Sequence, residues 1–397
     1  MYLPKGNFEL ISKYIINNHL EEGDYVKLVK FLLTFLTVFG VLLVFYQENV
    51  FAKVSIYNQR SSALEKGSLR FLYNSRVHFI KQPKHSFHDM DPTKKHEIRG
   101  NRGKRVTFVT RYLLPDPGKN HEAWGNPQSI AMTHKDYIYI VYCPKTLHNT
   151  GRIVRYNIKN LDAMGVRMHP LELFLAYQPN KKGKFSKIQK RIQKQIQKQI
   201  KVGPLFDTGH GQSLAYNLKN HGLYMWRDNE KGNGNPINKW GCIVHVNTKI
   251  LTPDHGIRIL LKGHGMQVPG GHDLTFDNSG DAYFWTNPGF GAYVYKGRIS
   301  SHHAEFELTH QILKKIPGTR VQSMSYNPDK ERLLLISDDS IASFPADKLD
   351  GHGSLTNSDF EWTGFDPQRE FEGVAYGDSS RANLLVNNEP EVLQATT

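Results

Sequence analysis

Five stretches share one pattern: Gln128-Ser-Ile-Ala-Met-Thr, Gln212-Ser-Leu-Ala-Tyr-Asn, His272-Asp-Leu-Thr-Phe-Asp, Gln322-Ser-Met-Ser-Tyr-Asn and Glu372-Gly-Val-Ala-Tyr-Gly. Each reads polar, small or acidic, aliphatic, small, then aromatic or Met, and in most copies a turn former comes next. The starts lie 84, 60, 50 and 50 residues apart, and self-similarity of this kind marks a repeat architecture. The residues after each copy repeat too. Second apolar strands are expected at Tyr137–Tyr142, Gly222–Trp226, Ala282–Trp285, Arg332–Ile336 and Asn383–Val386. Third strands are expected at Arg152–Tyr156, Cys242–Val246, Ala292–Tyr295, Ile341–Phe344 and Glu391–Gln394, and fourth strands at Leu173–Tyr177, Arg258–Leu261, Ala304–Leu308 and Asp359–Trp362. The last unit lacks a fourth strand, and the alternating stretch Arg105–Leu114 supplies it.

Short strands with turn signals between them define an all-β antiparallel class. Four strands in about 50 residues is the blade of a β-propeller, and an N-terminal strand completing the last blade closes the ring and hides its edges. The reading is a five-bladed β-propeller over residues 105–396; a β-sandwich is the competing architecture. A sandwich leaves unexplained why the first strand of each unit repeats most closely, whereas in a propeller those strands share one crowded axis.

The chain has 397 residues and a net charge of +14. The excess is confined to residues 53–104 (+8) and 181–201 (+9), leaving −1 on residues 1–52 and −2 on the rest. A near-neutral body with two basic attachments points to an anionic surface partner. The basic stretches hold few aromatics, so nucleic acid is not expected as a partner. Phe31–Tyr46 is an uncharged run of sixteen residues preceded by Lys27 and Lys30. It is shorter than the roughly 20 residues of a comfortable membrane span and reads as an export segment. Either cleavage occurs after Ala52 or the run stays as an uncleaved anchor, and both place residues 53–397 outside the cytoplasm. The expected organisation is a leader over 1–52, a basic linker over 53–104 and the propeller over 105–396. Cys143 and Cys242 both sit in apolar strands and read as small core residues, with a disulfide between them as the alternative.

The first interval exceeds the others, and Lys181–Lys201 fills the excess. There Ile188, Ile192, Ile196 and Ile200 recur every four residues among Lys and Gln, as on a helix with one apolar stripe. Lys187, Lys190, Arg191, Lys194 and Lys198 flank that stripe and are the expected contacts to an anionic membrane or wall polymer. A solvated helix on its own blade is the plainer reading.

In a propeller the first positions of the repeat, Gln128, Gln212, His272, Gln322 and Glu372, surround the mouth of the central channel. Trp124, His210 and Asp273 fall beside them, the link Arg227–Lys239 rises above, and Asn287, Asp338, Asp339, Asn388 and Glu389 end other second strands. Amides, carboxylates and aromatic rings are the groups that bind sugars; a ring of this kind also satisfies backbone groups and channel water. Glycoside cleavage needs two carboxylates at a defined separation, and Glu372 and Asp273 are the only candidates at or beside the ring positions. No His-Glu-x-x-His, Walker loop, nucleophile elbow or dinucleotide fingerprint occurs. Neither a metal nor a cofactor is expected.

Gly209-His210-Gly211-Gln212-Ser213-Leu214 and Asp277-Asn278-Ser279-Gly280-Asp281-Ala282-Tyr283-Phe284, with similar settings at Gln322-Ser323-Met324 and Glu372-Gly373-Val374, resemble the helveticin J-like proteins. These are extracellular class III bacteriocins and their relatives from lactobacilli. The resemblance implies a secreted propeller acting at the envelope of other bacteria, and it brings no defined catalytic residues. The leader, the basic linker and the lysine-rich insertion depart from that family and leave room for a protein of the producer's own surface. The expected function is recognition of an envelope glycan or teichoic-acid-like polyanion; the alternatives are a secreted glycosidase or lyase acting on a polysaccharide, and a non-catalytic adhesin.

Overall fold

A strand such as Tyr137–Cys143, apolar at nearly every position, is stable in a sheet only when both of its faces are covered. The second strand of each repeat is of this kind. The computed structural model describes residues 55–59, 70–81, 87, 90–115, 117, 124–133, 137–147, 149–178, 185–227, 240–260, 262–263, 266–267, 273–287, 291–349, 355–366, 369–377 and 380–396. The leader over 1–52 lies outside them, as do His272 and most of the link Arg227–Lys239. Among the described residues no helix is long and apolar enough to cross a membrane.

Four strands precede the first repeat: β1 (Ser55–Gln59), β2 (Arg70–Leu72), β3 (Glu97–Gly103) and β4 (Val106–Leu113). The first unit is β5 (Asn126–Met132), β6 (Tyr137–Cys143), β7 (Thr150–Asn157) and β8 (Ile200–Val202), with β9 (Phe206–Asp207) on the other end of β7. The second is β10 (Leu214–Asn217), β11 (Gly222–Trp226), β12 (Trp240–Asn247) and β13 (Thr252–Leu260). A short ribbon, β14 (Lys262–Gly263) with β15 (Met266–Gln267), leads to β16 (Thr275–Phe276), β17 (Ala282–Thr286), β18 (Tyr293–Ile299) and β19 (Ala304–Leu308). After β20 (Gln311–Leu313) come β21 (Val321–Asn327), β22 (Arg332–Ser337), β23 (Ser340–Pro345) and β24 (Glu361–Phe365). The chain ends with β25 (Phe371–Tyr376), β26 (Ala382–Val386) and β27 (Glu391–Ala395), and β4 pairs antiparallel with β27 as the fourth strand of that unit.

Side-chain alternation shows how these sheets cover one another. In β6, Ile138, Ile140 and Tyr142 enter a core shared with Leu385 and Val392 of the last unit. Their neighbours Tyr139 and Val141 enter a different core, shared with Leu223, Met225 and Val244 of the second unit. The pattern continues: Trp226 packs with Phe284, Trp285 with Leu333 and Leu335, and Ile336 with Leu384 and Val386. Each sheet therefore shares one face with the sheet before it and the other with the sheet after it, and the last meets the first. The first strands close the same cycle, with β5, β10, β16, β21 and β25 each lying against the next and β25 against β5. The architecture is mostly β and propeller-like.

The turn former at the end of the repeat has a defined task. Asn217, Asp277 and Asn327 each accept a hydrogen bond on Oδ1 from the backbone N–H two residues on, at 2.9, 2.9 and 3.1 Å. These Asx turns start the first hairpin of three units. Cys143 and Cys242 form no disulfide; Cys143 is half-buried with its Sγ 3.4 Å from Thr208 Oγ1, and Cys242 is buried.

Two expectations are corrected here. Leu173–Tyr177 is not a fourth strand. The β7 to β8 connection holds three helices, α1 (Ile158–Ala163), α2 (Leu171–Leu175) and α3 (Lys187–Gln197). Leu171–Leu175 contains no β-branched residue, and its Leu and Glu favour a helical turn. The fourth strand is Ile200–Val202, so Ile200 ends the sheet instead of extending the helical stripe. Second, the stretch 53–104 is not a plain linker. β1 pairs parallel with β13, β2 parallel with β20, and β3 sits between β24 and β4 to fuse the last two units into one nine-stranded sheet. Unpaired sheet edges are a liability that such strands cover. Where β3 leaves β24, Gly103 has φ of 70°, and a Cβ there would lie 2.2 Å from the Trp362 carbonyl oxygen.

Ring closure carries a buried ionic lock. Arg369 and Glu391 are 2% and 1% exposed and pair Nη1 to Oε1 at 2.8 Å. Arg369 also donates to the carbonyls of Glu389 at 2.6 Å and Asn387 at 3.3 Å. Glu391 Oε2 accepts from Thr110 of β4 at 3.0 Å and lies 3.1 Å from His96 Nδ1. Removing one partner strands a buried charge, so Arg369→Met is expected to cost about 3–5 kcal/mol in urea unfolding. Arg369→Met combined with Glu391→Leu should recover much of that loss. An unchanged midpoint for Arg369→Met alone would show that the lock contributes nothing to closure.

Candidate functional site

The repeat's first two positions owe their character to one irregularity of the inner strands. In β5 the pairing with β6 passes from Pro127↔Tyr142 to Ser129↔Val141, in β21 from Val321↔Ser337 to Ser323↔Ile336, and in β25 from Phe371↔Val386 to Gly373↔Leu385. Gln128, Gln322 and Glu372 are the extra residues of three equivalent β-bulges. A bulge leaves its residue out of the ladder and re-aims its side chain, which explains why the position is polar and variable. The next position ties strands together in three of the units. Ser213 Oγ accepts from Trp226 N and donates to Trp226 O, both at 2.7 Å, and Ser129 Oγ donates to the Gly211 carbonyl at 2.5 Å. Asp273 stands at the serine position of the third unit, and its Oδ1 accepts from Trp285 N at 2.9 Å. Asp273, the second carboxylate expected from sequence, is thus engaged in holding the first hairpin of its sheet.

Three expected ring residues come together. Gln212 donates through Nε2 to Gln322 Oε1, and Gln322 Nε2 donates to Asp338 Oδ1 at 2.6 Å. The Gln212 and Asn387 amides favour the charged form of the Glu372 carboxyl, and Asn387 donates to Glu370 Oε2 at 3.2 Å. Gln212, Gln322 and Asp338 thus form a hydrogen-bonded chain between the second and fourth units, with Glu372 of the fifth beside it. Glu372 and Gln322 are 1% exposed and Asp338 is 0% exposed. Glu372 Oε2 and Asp338 Oδ2 are buried without a hydrogen-bond partner among the described residues.

The remaining expected residues lie elsewhere. Gln128 is buried and donates to its own neighbour's carbonyl, Pro127 O, at 3.1 Å. Trp124 is 5% exposed and packs edge-on against Tyr142 and Tyr177, at 5.4 and 4.9 Å between centroids, so it belongs to the core and not to the ring. His210 is half-buried, and its carbonyl accepts from Cys143 Sγ at 3.5 Å. Three members of the site go beyond the ring residues expected from sequence: Glu370, Asn387 and Asp338, the last placed by sequence only at the end of a second strand. Asp338 and Asn387 come just after second strands and Glu370 precedes β25, the same end of the sheets as the bulges. At the other end, Met132, Tyr216, Phe276, Tyr326 and Tyr376, the fifth position of every repeat, line one cavity together. One axis thus has a polar, acidic end and an aromatic end.

Burial dominates the electrostatics. It raises the Glu372 carboxyl well above the usual carboxylate range, the charges of Glu370 and Asp338 add to the effect, and the Asn387 and Gln212 hydrogen bonds oppose it. Burial likewise pushes Asp338 up to about 6, against the Gln322 hydrogen bond and with the Glu370 charge adding. Two neighbouring buried acids held toward their protonated forms are ingredients of general acid–base chemistry.

On α3, Ser186 and Gln189 form a capping box that fixes the helix start. Its far end is anchored: Ile196 is 1% exposed, and Gln193 and Gln197 donate to the carbonyls of Leu175 and Ala176 at 3.0 and 2.6 Å. The near end projects, with Ile188 73% and Ile192 38% exposed. Lys187, Lys190, Arg191, Lys194 and Lys198 are all exposed.

The paired sheets and the polar mouth define a propeller-like protein. No family model and no curated protein matches the chain. Solved structures similar to it include a glucose dehydrogenase (10% identity, 77% of this chain and 99% of that one, TM-score 0.36). A gluconolactonase from Xanthomonas campestris gives 7% identity over 79% of this chain and 98% of that one, TM-score 0.33. The periplasmic gluconolactonase of Pseudomonas aeruginosa gives 11% identity over 65% and 67%, TM-score 0.35. At scores this low, the pairing of this chain's own strands establishes the fold.

The acids give a pH test. A carboxyl whose folded pKa lies above its unfolded value binds protons preferentially in the folded state, so stability falls as pH rises between the two. For Asp338 that window runs from 3.8 to about 6. Asp338→Asn should therefore gain stability relative to the parent across this window, on the order of 2 kcal/mol at its upper end. Equal pH profiles of the unfolding midpoint for the two proteins would show that Asp338 titrates normally.

Proposed function

We propose that the chain is an exported five-bladed β-propeller whose acidic channel mouth binds a sugar-type polymer of the cell envelope and cleaves it by acid–base catalysis. The observation that carries this reading is the neighbouring pair Glu372 and Asp338. Each carboxyl is buried and protonated more readily than usual, and each keeps one oxygen without a partner among the described residues. Glu372 is the acid that protonates the leaving oxygen. Asp338, titrating at about 6, is the base that takes a proton from water or from the sugar ring. Gln212 and Gln322 lie beside them and offer amide groups to sugar hydroxyls. The apolar run Phe31–Tyr46 supports export. A substrate in the envelope suits both that compartment and the resemblance to helveticin J-like proteins.

The full-length protein in mild detergent, incubated with purified peptidoglycan and wall polysaccharide, should release new reducing or unsaturated ends. Glu372→Gln and Asp338→Asn should each lower that rate by about 100-fold or more while polymer binding persists. The acid limb of the rate profile should fall near the Asp338 value. Binding without product, unaltered in either variant, would leave a recognition module and refute the catalytic reading.

A second contact is favoured by the projecting end of α3, where two exposed isoleucines lie among cations. Apolar side chains beside lysines suit an anionic membrane surface, at which each Lys contributes about 1 kcal/mol and salt weakens the sum. Replacing Lys187, Lys190, Arg191 and Lys194 by Gln should abolish most binding to vesicles containing phosphatidylglycerol and flatten its salt dependence, with the fold intact because these side chains are exposed. Unchanged vesicle binding would make α3 a solvated insertion. Deleting the whole of Lys181–Lys201 is unsuitable, since it removes Ile196 from the core and most of β8.

A further inference from the structure

Away from the channel, the second sheet carries an irregularity with chemical content. Pairing of β12 with β13 runs from His245↔His255 directly to Val246↔Pro253, so Asp254 is the extra residue of a bulge. In a regular strand Asp254 and His255 would point to opposite faces. The bulge instead sets two successive residues opposite one. Both then meet His245: Asp254 Oδ1 lies 2.8 Å from His245 Nδ1 and 2.6 Å from His255 Nδ1. The two imidazoles stack at 4.9 Å with 22° between planes. One ligand atom from each of the three residues lies within 4.8 Å of the others. The Tyr224 ring edge supports His245 at 5.2 Å, and His302, from the turn before β19 of the next sheet, stacks on His255 at 6.4 Å.

We propose that His245, Asp254 and His255 form a binding site for a divalent transition metal of the zinc class. Two imidazoles and one carboxylate are a donor set such ions prefer over calcium or magnesium, and three protein ligands leave a position for water or a fourth group. Each neutral imidazole would carry its proton on Nε2 and present Nδ1 to the ion. The ion replaces the two hydrogen bonds to Asp254 Oδ1, which must widen slightly to admit bonds of about 2.0–2.2 Å. The side chains can make that adjustment, being 26%, 35% and 24% exposed for His245, Asp254 and His255. The backbone meanwhile keeps them together on paired strands. The site lies on the third and fourth strands of its sheet, remote in the strand order from the inner strands that bear the proposed catalytic groups.

The test is metal uptake by the full-length protein in mild detergent, using Zn²⁺ for affinity and Co²⁺ as a spectroscopic probe. With 19 histidines in the chain, the difference between parent and variants is the readout. The parent should bind one more equivalent of Zn²⁺ than the His245→Asn/His255→Asn double variant, and its Co²⁺ form should show visible bands of low-coordinate nitrogen and oxygen ligation. Asp254→Asn, close in size and shape, should weaken that equivalent about tenfold or more while leaving the metal-free melting temperature within a degree or two. Equal uptake and identical Co²⁺ spectra in parent and double variant would overturn the proposal, as would an Asp254→Asn variant that binds like the parent.

Discussion

Everything in this molecule waits on the pairing of β4 with β27. A ring of sheets has no stable half, because each sheet needs both neighbours to cover its two apolar faces. The alternate burial of Ile138 and Tyr139 in different cores expresses that need within two residues. The lock of Arg369 with Glu391, fastened to Thr110 and His96, sits where the two ends of the chain meet. Its ions are nearly inaccessible to water; Arg369 donates to two backbone carbonyls and Glu391 accepts from Thr110. A buried pair of that kind sets register more than it adds stability, and register is what a closing strand lacks, since nothing local fixes it.

The same inner strands that repeat for packing also make the site. A bulge at an identical place in three sheets frees one side chain per strand from the ladder. In the other two sheets the second repeat position, Ser213 or Asp273, bonds the backbone of the second strand. Function can then vary at the freed position at little cost to the fold. Gln322 and Glu372 use that freedom to reach across the axis, whereas Gln128 turns back to its own strand.

Which forces are local decides how far the sequence can be read. Alternation, Asx turns and a 50-residue spacing are local, so the first, second and third strands of the units and the closing role of Arg105–Leu114 are legible. Leu173–Tyr177 misleads because a short run of Leu, Phe and Ala carries no β-branched side chain to separate strand from helix. β1 and β2 are hidden because parallel pairing of an edge leaves no alternating signature in so few residues, and β3 because its Glu, Arg, Asn and Gly residues show no apolar alternation. In the site, Gln212, Gln322 and Glu372 are visible through the repeat. Asp338 is legible as the residue that ends a second strand, and Asn387 follows the next second strand in the same way, whereas Glu370 carries no such signal because it joins through space. Trp124 looks available only because its neighbours in space, Tyr142 and Tyr177, are far from it in sequence.

Thr110 and Glu391 touch across 281 positions of chain. During synthesis from the N-terminus, β1 to β4 emerge first; β3 and β4 can pair with each other, but β1, β2 and the outer edges of that hairpin have no partner until the sheets that flank them exist. The edge of β4 that completes the ring is therefore obliged to wait, unpaired, for the last strand to arrive. A chain built this way favours folding after its whole length has cleared the ribosome.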